Sequence, residues 1–549
     1  MARPLLIACL AAALLASPAA AQQGTLLMPG VSYERKVEFT LHGPVVVNVI
    51  EAPRPTGLYA LQPVLAKGSV QGREKVTAIE RRLSSTATVA AVNGDLSSAG
   101  RPSGLFLQGS VIQTQPLGSR SSLGVDPSGS LAVDRIPFVA EWRGSGPRRN
   151  LSGMNQAAGP NGTILFTPAW AGPTPAAPDA VEVVFGSFPS TVANVLLAGV
   201  VTDIHRGGNT PVPPGGAILY ARGNAATRLA AETIAGGSVI IRLTLPSPLS
   251  AATEGIGGGP LLVRNGRPVF RANEAFGSSW LVSRTARTAV GQRADGSVLL
   301  VAVDGGRPGY SMGMSNFELA QELSGLGAVT AMALDSGSST AMAFDGRLLN
   351  RPSQGEQPVA DALALLYTGV QAPPPSEDVL VPGATGSGLA VEYKLARPST
   401  VTAALVGPGG ARTVLDEAQH PSGTYDFTWQ GTGAPEGRWT WSVTATDDLG
   451  RTSKAERAFS VNSTLQRLAV EQSKITVDLA RAANLTIRIE RSGTVLRTLL
   501  KKQADAGTAT VTWDGRLDGG ILAARGTYTV RATATNQIGT AELTAAIKR

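Results

Sequence analysis

The most constraining feature of the sequence is a long internal repeat near its C-terminal end. Leu395-Ala396-Arg397 recurs as Leu479-Ala480-Arg481, and Thr428-Trp429-Gln430-Gly431 recurs as Thr512-Trp513-Asp514-Gly515, in both cases 84 residues later. Beyond the tryptophans the offset becomes 89, which indicates a five-residue insertion in a loop. Self-similarity of this length is typical of a duplicated domain.

Each copy of the repeat contains runs in which apolar and polar residues alternate, such as Trp439–Ala445 and Tyr528–Ala534. A period of two is typical of half-buried β-strands. The sequence therefore predicts two small β-sandwiches, at 379–462 and 463–549, with the tryptophans of the repeat in their cores.

The second copy also carries a distinctive set of turns. Trp513-Asp514-Gly515-Arg516 is followed by Gly519-Gly520 and then by Gly526-Thr527-Tyr528. This succession resembles the immunoglobulin-like domain of flagellar hook-capping proteins, which is also appended to many secreted bacterial enzymes. The resemblance implies that both copies are all-β, immunoglobulin-like sandwiches.

A proline run precedes the repeat. Residues 371–378 include three consecutive prolines, which favour extended polyproline structure over a packed element. This segment is therefore predicted to be a linker, and residues 22–370 are predicted to form a separate, larger domain.

The first 21 residues have the pattern of a secretory signal peptide: a basic start, an apolar run from Leu5 to Ala16 and a cleavage site after Ala21. Cleavage there would remove Cys9, the single cysteine of the chain. No later segment has about 20 uninterrupted apolar residues, so no membrane span is predicted. We expect a secreted, periplasmic or cell-surface protein.

Composition limits the chemistry of the larger domain. With three His and one Cys in 549 residues, His/Cys zinc sites and cysteine nucleophiles are excluded. Of the common kinds of catalytic group, the carboxylates of Asp and Glu remain. No cofactor is identified and no Asp spacing matches a known calcium loop, which leaves open a divalent cation held by carboxylate and backbone oxygens alone.

Three apolar runs of the larger domain stop abruptly at a polar residue beside glycine. The first ends at Asn93-Gly94-Asp95, the second at Asp304-Gly305-Gly306-Arg307 and the third at Asp335-Ser336-Gly337. Ligand sites collect at strand ends, and glycine lets a ligand approach the backbone closely. These three turns are therefore candidate parts of one site.

A helix is predicted between the second and third runs. Ser315-Asn316-Phe317-Glu318 is a capping box, and Gly327 follows the last apolar position. A strand, helix and strand in this order are long enough for a crossover that makes the two strands parallel neighbours. Asp304 and Asp335 would then share one cleft in an α+β catalytic domain with a mixed β-sheet.

Two motifs suggest other enzyme classes. Gly309-Tyr310-Ser311-Met312-Gly313 matches the serine hydrolase elbow, but the nearest downstream histidine is His420, beyond the linker, so this reading is rejected. Asp335-Ser336-Gly337 resembles an aspartic protease loop, although the chain has no second motif of this kind with which to share a proton. An aspartic-type protease is the alternative function. His205 is expected to be a surface-loop residue.

A longer succession of motifs covers roughly residues 40–368. It comprises Asn93-Gly94-Asp95, Asn155-Gln156, Ala169-Trp170-Ala171-Gly172, Gly257–Val263, Arg284–Gly291, Val303–Arg307, Ser311-Met312-Gly313, Leu334–Thr340 and Asn350–Ser353. This set resembles the phosphodiester glycosidase family. The resemblance implies a hydrolase that cleaves a sugar-1-phosphodiester at the sugar, releasing free sugar and a phosphomonoester.

The resemblance and the carboxylate chemistry together assign candidate roles. The catalytic candidates are Asp335, Asp304, Asp95 and Glu356. Arginine binds two phosphate oxygens at once, so Arg287 and then Arg307 are the phosphate candidates. The full set of substrate-binding candidates is Asn93, Arg287, Arg307, Ser311, Gly337, Ser339 and Asn350.

The chain also departs from the family pattern. Asp335-Ser336-Gly337-Ser338-Ser339 stands where the family usually has D-G-G-G-S, and Glu356-Gln357 stands where it has E-R. A second alternative is therefore a catalytically inactive protein that binds an anionic glycan.

The formal charge of +8 is concentrated at one end of the chain. Residues 463–549 carry 13 Lys and Arg against 7 Asp and Glu. No nucleic-acid motif accompanies them, so a nucleic-acid role is excluded and an anionic envelope polymer is the expected partner of this module.

Overall fold

The computed structural model describes residues 24–269, 273–382 and 388–549. The predicted signal peptide, with Cys9 and the cleavage site after Ala21, lies outside the described residues. The fold is mostly β, with 51% of residues in strands and 9% in helices.

The strands that precede the linker are, in chain order, β1 (Thr25–Met28), β2 (Val31–Thr40), β3 (Gly43–Ala52), β4 (Tyr59–Leu65), β5 (Thr88–Asn93), β6 (Ser97–Ser98), β7 (Arg101–Pro102), β8 (Phe106–Gln108), β9 (Val111–Thr114), β10 (Ser122–Val125), β11 (Leu131–Asp134), β12 (Val139–Arg143), β13 (Arg149–Asn150), β14 (Gly153–Met154), β15 (Thr163–Phe166), β16 (Ala180–Phe185), β17 (Leu196–Val200), β18 (Asp203–Arg206), β19 (Ala217–Arg222), β20 (Ser238–Thr244), β21 (Glu254–Gly257), β22 (Leu261–Arg264), β23 (Arg267–Pro268), β24 (Arg287–Arg293), β25 (Val298–Val303), β26 (Ala328–Ala333), β27 (Met342–Phe344), β28 (Arg347–Leu348) and β29 (Asp361–Tyr367). The α-helices are α1 (Val76–Leu83), α2 (Gly223–Glu232), α3 (Ser278–Val282) and α4 (Asn316–Gly325).

Two sheets form the centre of the larger domain. The main sheet has the order β1-β2-β3-β25-β24-β26-β22-β23, and the second sheet has the order β28-β27-β5-β29-β4. A shared apolar core, which includes Ile50, Leu300 and Met332 of the main sheet and Val92 and Leu365 of the second, joins the two sheets face to face.

The helices cover the outer faces of these sheets. Helix α4 packs Leu319 and Leu323 against the main sheet, and α1 packs Val76 and Ile79 against the second sheet. The result is four layers, helix, sheet, sheet and helix. Because both faces of β5, β25 and β29 are covered, every residue of these three strands is buried and most are apolar.

The strand topology corrects one prediction. Every pairing within the main sheet is antiparallel, so the expected mixed sheet is not found there. β25 and β26 run in the same direction, as predicted, but they are not neighbours because β24 lies between them. Asp304 and Asp335 are therefore separated by the strand that begins at Arg287.

Helix α4 begins as its sequence predicts. Ser315 is the N-cap, its hydroxyl accepts from the Glu318 N–H, and the Glu318 carboxylate accepts from the Ser315 N–H, which completes the capping box. Phe317, in the first turn of the helix, is 51% exposed although it is apolar.

A β-rich lobe is inserted between β7 and β22. Its sheets have the orders β11-β10-β21-β8-β9, β13-β12-β20-β17 and β14-β15-β19-β16-β18. Trp142, Phe185 and Leu229 are among the residues of its core. The lobe supplies one wall of the pocket described below.

The strands after the linker are β30 (Val379–Leu380), β31 (Leu389–Leu395), β32 (Ser399–Val406), β33 (Arg412–His420), β34 (Gly423–Trp429), β35 (Gly437–Asp447), β36 (Thr452–Val461), β37 (Leu465–Glu471), β38 (Lys474–Leu479), β39 (Ala483–Arg491), β40 (Thr494–Ala504), β41 (Gly507–Thr512), β42 (Thr527–Asn536) and β43 (Gly539–Lys548). They form two pairs of sheets, each pair around its own core. The alternation predicted at Trp439–Ala445 and Tyr528–Ala534 is present in β35 and β42. Trp513 is buried, as expected, whereas Trp429 is only partly buried and packs against the core of the first sandwich.

The proline-rich linker is packed rather than free. Gln371 pairs with Lys394 of β31, and Ser376 exchanges hydrogen bonds with Ala390. Ala372 is fully buried in the core of the first sandwich. The segment is extended, but it behaves as an edge of the first sandwich.

Candidate functional site

The site lies where one end of the main sheet meets one end of the second sheet. The Asn93 side chain donates from Nδ2 to the carbonyl oxygen of Asp335 at 2.8 Å, and the Asp335 N–H donates to the carbonyl oxygen of Gly94 at 2.9 Å. The turn after β5 and the turn after β26 are thereby joined. The first and third polar turns of the sequence analysis are thus brought together.

A buried aspartate pair stands behind this junction. The Asp361 carboxylate accepts from the Asp95 N–H through Oδ1 at 2.9 Å, while its Oδ2 is buried with no hydrogen-bond partner among the described residues. A Cβ on Gly94 would lie 2.5 Å from Oδ1 of Asp361, so only glycine fits between the two acids. Asp95 in turn accepts from the N–H groups of Leu96 and Gly104.

Burial makes these carboxyls hold their protons more tightly than ordinary aspartates. Desolvation raises the pKa of Asp95 to about 6 against the attraction of Arg120, and the nearby Asp335 raises it further. Burial, and then the charge of Asp95, raises the pKa of Asp361 well above its usual range. Asp361 therefore keeps its proton to a higher pH than an ordinary aspartate does.

Asp335 is the most accessible of the three acids. Burial raises the pKa of its carboxyl, while Ser339, the Ser336 N–H, Arg120 and Arg73 all stabilise the charged form. The turn that carries it contains Gly337 at φ +71°, a left-handed conformation that glycine adopts without strain. Ser339 thus lies next to the Asp335 carboxylate, as a substrate-site residue would.

Arg120 is the cation closest to this acid cluster. It is only 8% exposed, yet its guanidinium has no hydrogen-bond acceptor within the described parts of the chain. Its charge acts on both Asp95 and Asp335. The ring of Phe276 lies 5.7 Å from its guanidinium carbon. A guanidinium that lines a pocket and uses none of its donors within the protein is suited to binding an anionic ligand.

A polar pocket of about 440 Å³ is lined in part by Arg120. Arg101 and Arg120 line it together with Ser98, Ser103, Thr114, Gln115, Ser119, Asn155 and Gln156. The pocket lies between the turn that follows Asp95 and the inserted lobe. Its size falls within the roughly 300–1,000 Å³ of small-molecule sites.

Arg287, expected to bind phosphate, instead makes hydrogen bonds within the protein. Its guanidinium donates to the carbonyl oxygens of Met314, Trp280 and Ser283, and Nη1 reaches Ser336 at 3.4 Å. Burial lowers its pKa to about 10. Most of its donors are used within the protein, so it braces the Asp335 turn through Ser336.

Asp304 belongs to a separate polar cluster. It accepts from the Tyr310 hydroxyl at 2.9 Å, the Arg351 N–H at 2.8 Å and Asn350 at 3.2 Å. The Ser311 hydroxyl donates to the carbonyl oxygen of Asp304. The expectation of one cleft for Asp304 and Asp335 therefore fails, because the carboxylate of Asp304 is fully engaged within its own cluster. Ser311, buried in this contact, is not an exposed nucleophile.

Three further candidates have local partners. Glu356 accepts from both the N–H and the hydroxyl of Thr77 at 2.8 Å, so it caps the start of α1. Arg307 donates to the carbonyl oxygens of Pro352 and Ser353 and fastens that loop. His205 contacts Asp203 and Thr210 on β18 and its following turn.

The described residues contain no group of side chains that resembles a metal site. Within residues 24–269, 273–382 and 388–549, no three His, Cys, Asp or Glu side chains are grouped as a metal site would require.

Two site residues were missed by sequence analysis. Asp361 opens β29 without a neighbouring glycine, and Arg120 follows no apolar run. Arg120 had one weak signal, since Leu117-Gly118-Ser119-Arg120 is a polar turn directly before the buried strand β10.

Comparison with protein families finds two matches along the chain. Residues 190–366 match the phosphodiester glycosidase family. The match contains Arg287, Asp304, Asp335 and Asp361, while Asn93, Asp95 and Arg120 lie upstream of it. Residues 463–537 match the FlgD Ig-like domain, which agrees with the resemblance seen in the second repeat.

Individual relatives cover only parts of the chain. An uncharacterized, SPbeta prophage-derived protein of Bacillus subtilis, YomE, is 35% identical over 82 residues, which are 15% of this chain and 13% of that protein. A hypothetical protein from Synechocystis superposes with a TM-score of 0.52 at 27% identity and covers 62% of each chain. The catalytic domain of zebrafish N-acetylglucosamine-1-phosphodiester alpha-N-acetylglucosaminidase gives a TM-score of 0.33 at 14% identity, over 61% of this chain and 82% of that domain.

The helices of the described segments are also too short or too polar to cross a bilayer.

Proposed function

We propose that this protein is a secreted hydrolase that cleaves the bond between sugar and phosphate in a sugar-1-phosphodiester. The observation that carries the proposal is the partly accessible Asp335, which faces the cation Arg120 in a domain that matches the phosphodiester glycosidase family. A carboxylate next to a cation and an open pocket fits a substrate that has an electrophilic carbon beside a phosphate.

The reaction requires little from a general acid. Water forms a bond to C1 of the sugar and gives one proton to the Asp335 carboxylate, while the C1–O bond breaks and its electron pair goes to the phosphate oxygen. Phosphate is a good leaving group, so protonation of the departing oxygen is less necessary than in ordinary glycoside hydrolysis. The products are free sugar and a phosphomonoester.

The remaining acids support Asp335 in this proposal. Asp95 keeps a second negative charge near C1, where positive charge develops in the transition state. Asp361, whose carboxyl group accepts from the Asp95 N–H, holds the turn in place. Asn93 fixes the backbone of Asp335, and Asp304 and Glu356 stabilise neighbouring loops.

The proposal also covers the parts of the chain outside the site. We assign residues 22–370 to an α+β catalytic domain and 379–462 to an immunoglobulin-like sandwich of the same kind as 463–549. Export by the signal peptide would bring the enzyme to phosphorylated envelope glycans or exopolysaccharides.

The direct test uses the methyl phosphodiester of N-acetylglucosamine 1-phosphate as substrate. The protein lacking residues 1–21 is incubated with it in H₂¹⁸O, and the products are followed by NMR and mass spectrometry. Cleavage at the sugar places ¹⁸O in free N-acetylglucosamine and releases unlabelled methyl phosphate. The Asp335→Asn variant is expected to lose at least 100-fold in rate, as removal of a reacting carboxylate does. Asp505→Asn, an exposed aspartate of the last module, serves as the matched control.

Other outcomes identify other functions. Label in methyl phosphate would show attack at phosphorus and contradict the glycosidase mechanism. Turnover that survives in Asp335→Asn would remove Asp335 from the reaction. Pepstatin-sensitive peptide cleavage in place of sugar release would favour the aspartic-type protease, and glycan binding without turnover of any sugar phosphodiester would favour the inactive binding protein.

A further inference from the structure

We propose that Arg120 and Arg101 hold the substrate phosphate in the 440 Å³ pocket, which also receives the alcohol esterified to that phosphate. The inference rests on the proposed function. It assigns the phosphate and the esterified alcohol of the substrate to the pocket. It moves phosphate binding away from Arg287 and Arg307, whose donors are used by carbonyl groups of the protein.

The first support is the free binding capacity of Arg120. Arg120 is 8% exposed as a residue, and its guanidinium lines the pocket and makes no hydrogen bond within the described residues, although it has five N–H donors. Donors that no protein acceptor uses are free to bind two phosphate oxygens at once. Arg287, by contrast, makes four hydrogen bonds within the protein.

The second support is the rigid placement of Arg120. The next residue, Ser121, donates to the carboxylate of Glu274 through both its N–H and its hydroxyl, each at 2.9 Å. Phe276 lies between Arg120 and Trp280, with the two rings stacked at 6.0 Å. A guanidinium fixed in this way loses little conformational entropy when it binds a ligand.

The third support is the order of charges along the site. Arg120 acts electrostatically on the Asp95 and Asp335 carboxylates and also lines the pocket, whose lining contains neither acid. A phosphate on Arg120 would place the sugar carbon towards the carboxylates and the esterified alcohol into the pocket. Arg101, held over the ring of Trp170 at 5.4 Å, adds a second cation to the pocket wall.

The far wall of the pocket suits a polar alcohol. Gln115 donates from Nε2 to Oε1 of Gln156 at 2.5 Å and accepts from the Met154 N–H. The hydrogen bond between Gln115 and Gln156 fixes the orientation of both side-chain amides. It leaves the Nε2 donor of Gln156 available to a hydroxyl or a further phosphate oxygen. A pocket of this size is larger than a phosphate group, so we expect a diester to be preferred to a sugar-1-phosphate monoester.

The test measures ligand binding separately from turnover. UDP and methyl phosphate, the products expected from a UDP-sugar and from the methyl diester, are titrated into the protein by calorimetry. Arg120→Met is expected to weaken UDP binding at least tenfold and to reduce its salt dependence, and Arg120→Lys to restore part of it. If the Arg120 variants fold poorly, Arg101→Met, at a less buried position, is used instead and is also expected to weaken UDP binding. Arg228→Met, at an arginine that lines a different pocket, is the matched control.

The outcomes separate this inference from the proposed function. UDP binding that depends on Arg120 and Arg101 supports the subsite even where no sugar phosphodiester is hydrolysed, in which case the proposed function falls alone. Hydrolysis with UDP affinity unchanged in both variants overturns the subsite and leaves the proposed function. Failure of UDP and methyl phosphate to bind the unaltered protein also overturns the subsite.

Discussion

The Asn93 amide group joins two sheets through the backbone of Asp335. Its Nδ2 donates to the Asp335 carbonyl oxygen at 2.8 Å, and its Oδ1 accepts from the Thr288 hydroxyl at 2.6 Å and from the Ala341 N–H at 3.1 Å. One fully buried side chain thus fixes the position of the most accessible acid of the site.

Replacing this amide should therefore impair both stability and catalysis. Asn93→Ala leaves three buried groups unpaired, and each unpaired group costs about 1–3 kcal/mol of unfolding free energy. We expect a large fall in urea resistance together with a lower kcat. Asn224→Ala, an exposed position on α2, should change neither. A variant with unaltered kcat would show that Asp335 keeps its position without Asn93.

Replacing Glu356 should lower stability without affecting catalysis. Since it caps α1 through Thr77, Glu356→Gln should lower the free energy of unfolding by about 0.5–2 kcal/mol and leave kcat unchanged. Denaturant unfolding and steady-state rates of the same preparation check this. Loss of turnover in a fully folded Glu356→Gln protein would return this residue to the list of catalytic candidates.

The buried acids should make the folded state more stable in mild acid. A carboxyl whose pKa is raised on folding binds its proton more tightly in the folded state, so its contribution to stability is complete below pH about 4 and is lost as the pH rises. For Asp95, with a pKa of about 6, the loss between pH 4 and pH 7 is roughly 2 kcal/mol. Asp361 acts in the same direction.

This pH dependence is measured as a difference between variants, because other carboxyls shift in the opposite direction. Urea unfolding of the unaltered protein and of Asp361→Asn at pH 4.5, 6 and 7.5 isolates the contribution of Asp361. The unaltered protein should lose more stability over this range than the variant. Equal slopes would mean that Asp361 is not held protonated in the folded state.

The basic last module is predicted to bind anionic polymer. Lys501 and Lys502 are exposed on β40, an edge strand of its sheet. Replacing both with Glu changes the charge of the module by about four units and should lower the salt concentration that elutes the protein from an anionic polysaccharide column. Asp505→Asn, which raises the charge slightly, should not lower it. Elution unaffected by the double change would exclude this face as the contact.

Much of the local structure could be predicted from the sequence, because it depends on local patterns. The strand Val298–Val303 and the capping box at Ser315 are found where predicted. The direction of β25 relative to β26 was also predicted correctly, but their separation by β24 was not. Apolar runs and crossover length constrain direction, whereas the neighbours of a strand are decided by packing over the whole sheet.

The candidate site was predicted in part for the same reason. Asp95 and Asp335 stand beside glycine after apolar runs, and the structure brings their turns together. Asp361 and Arg120 carry no such local signal, since their importance comes from burial next to other charges. Glu356 and Arg307 resembled site residues by charge alone, and their partners became visible only in three dimensions.

The packing of the linker has a practical consequence for dissecting the chain. Lys394 of the first sandwich donates to the carbonyl oxygen of Ala87, the residue before β5, and Gln371 donates to the carbonyl oxygen of Leu27. A protein cut at residue 370 would lose both contacts. We therefore expect the larger domain to be more stable when it is produced together with the first sandwich than when it is produced alone.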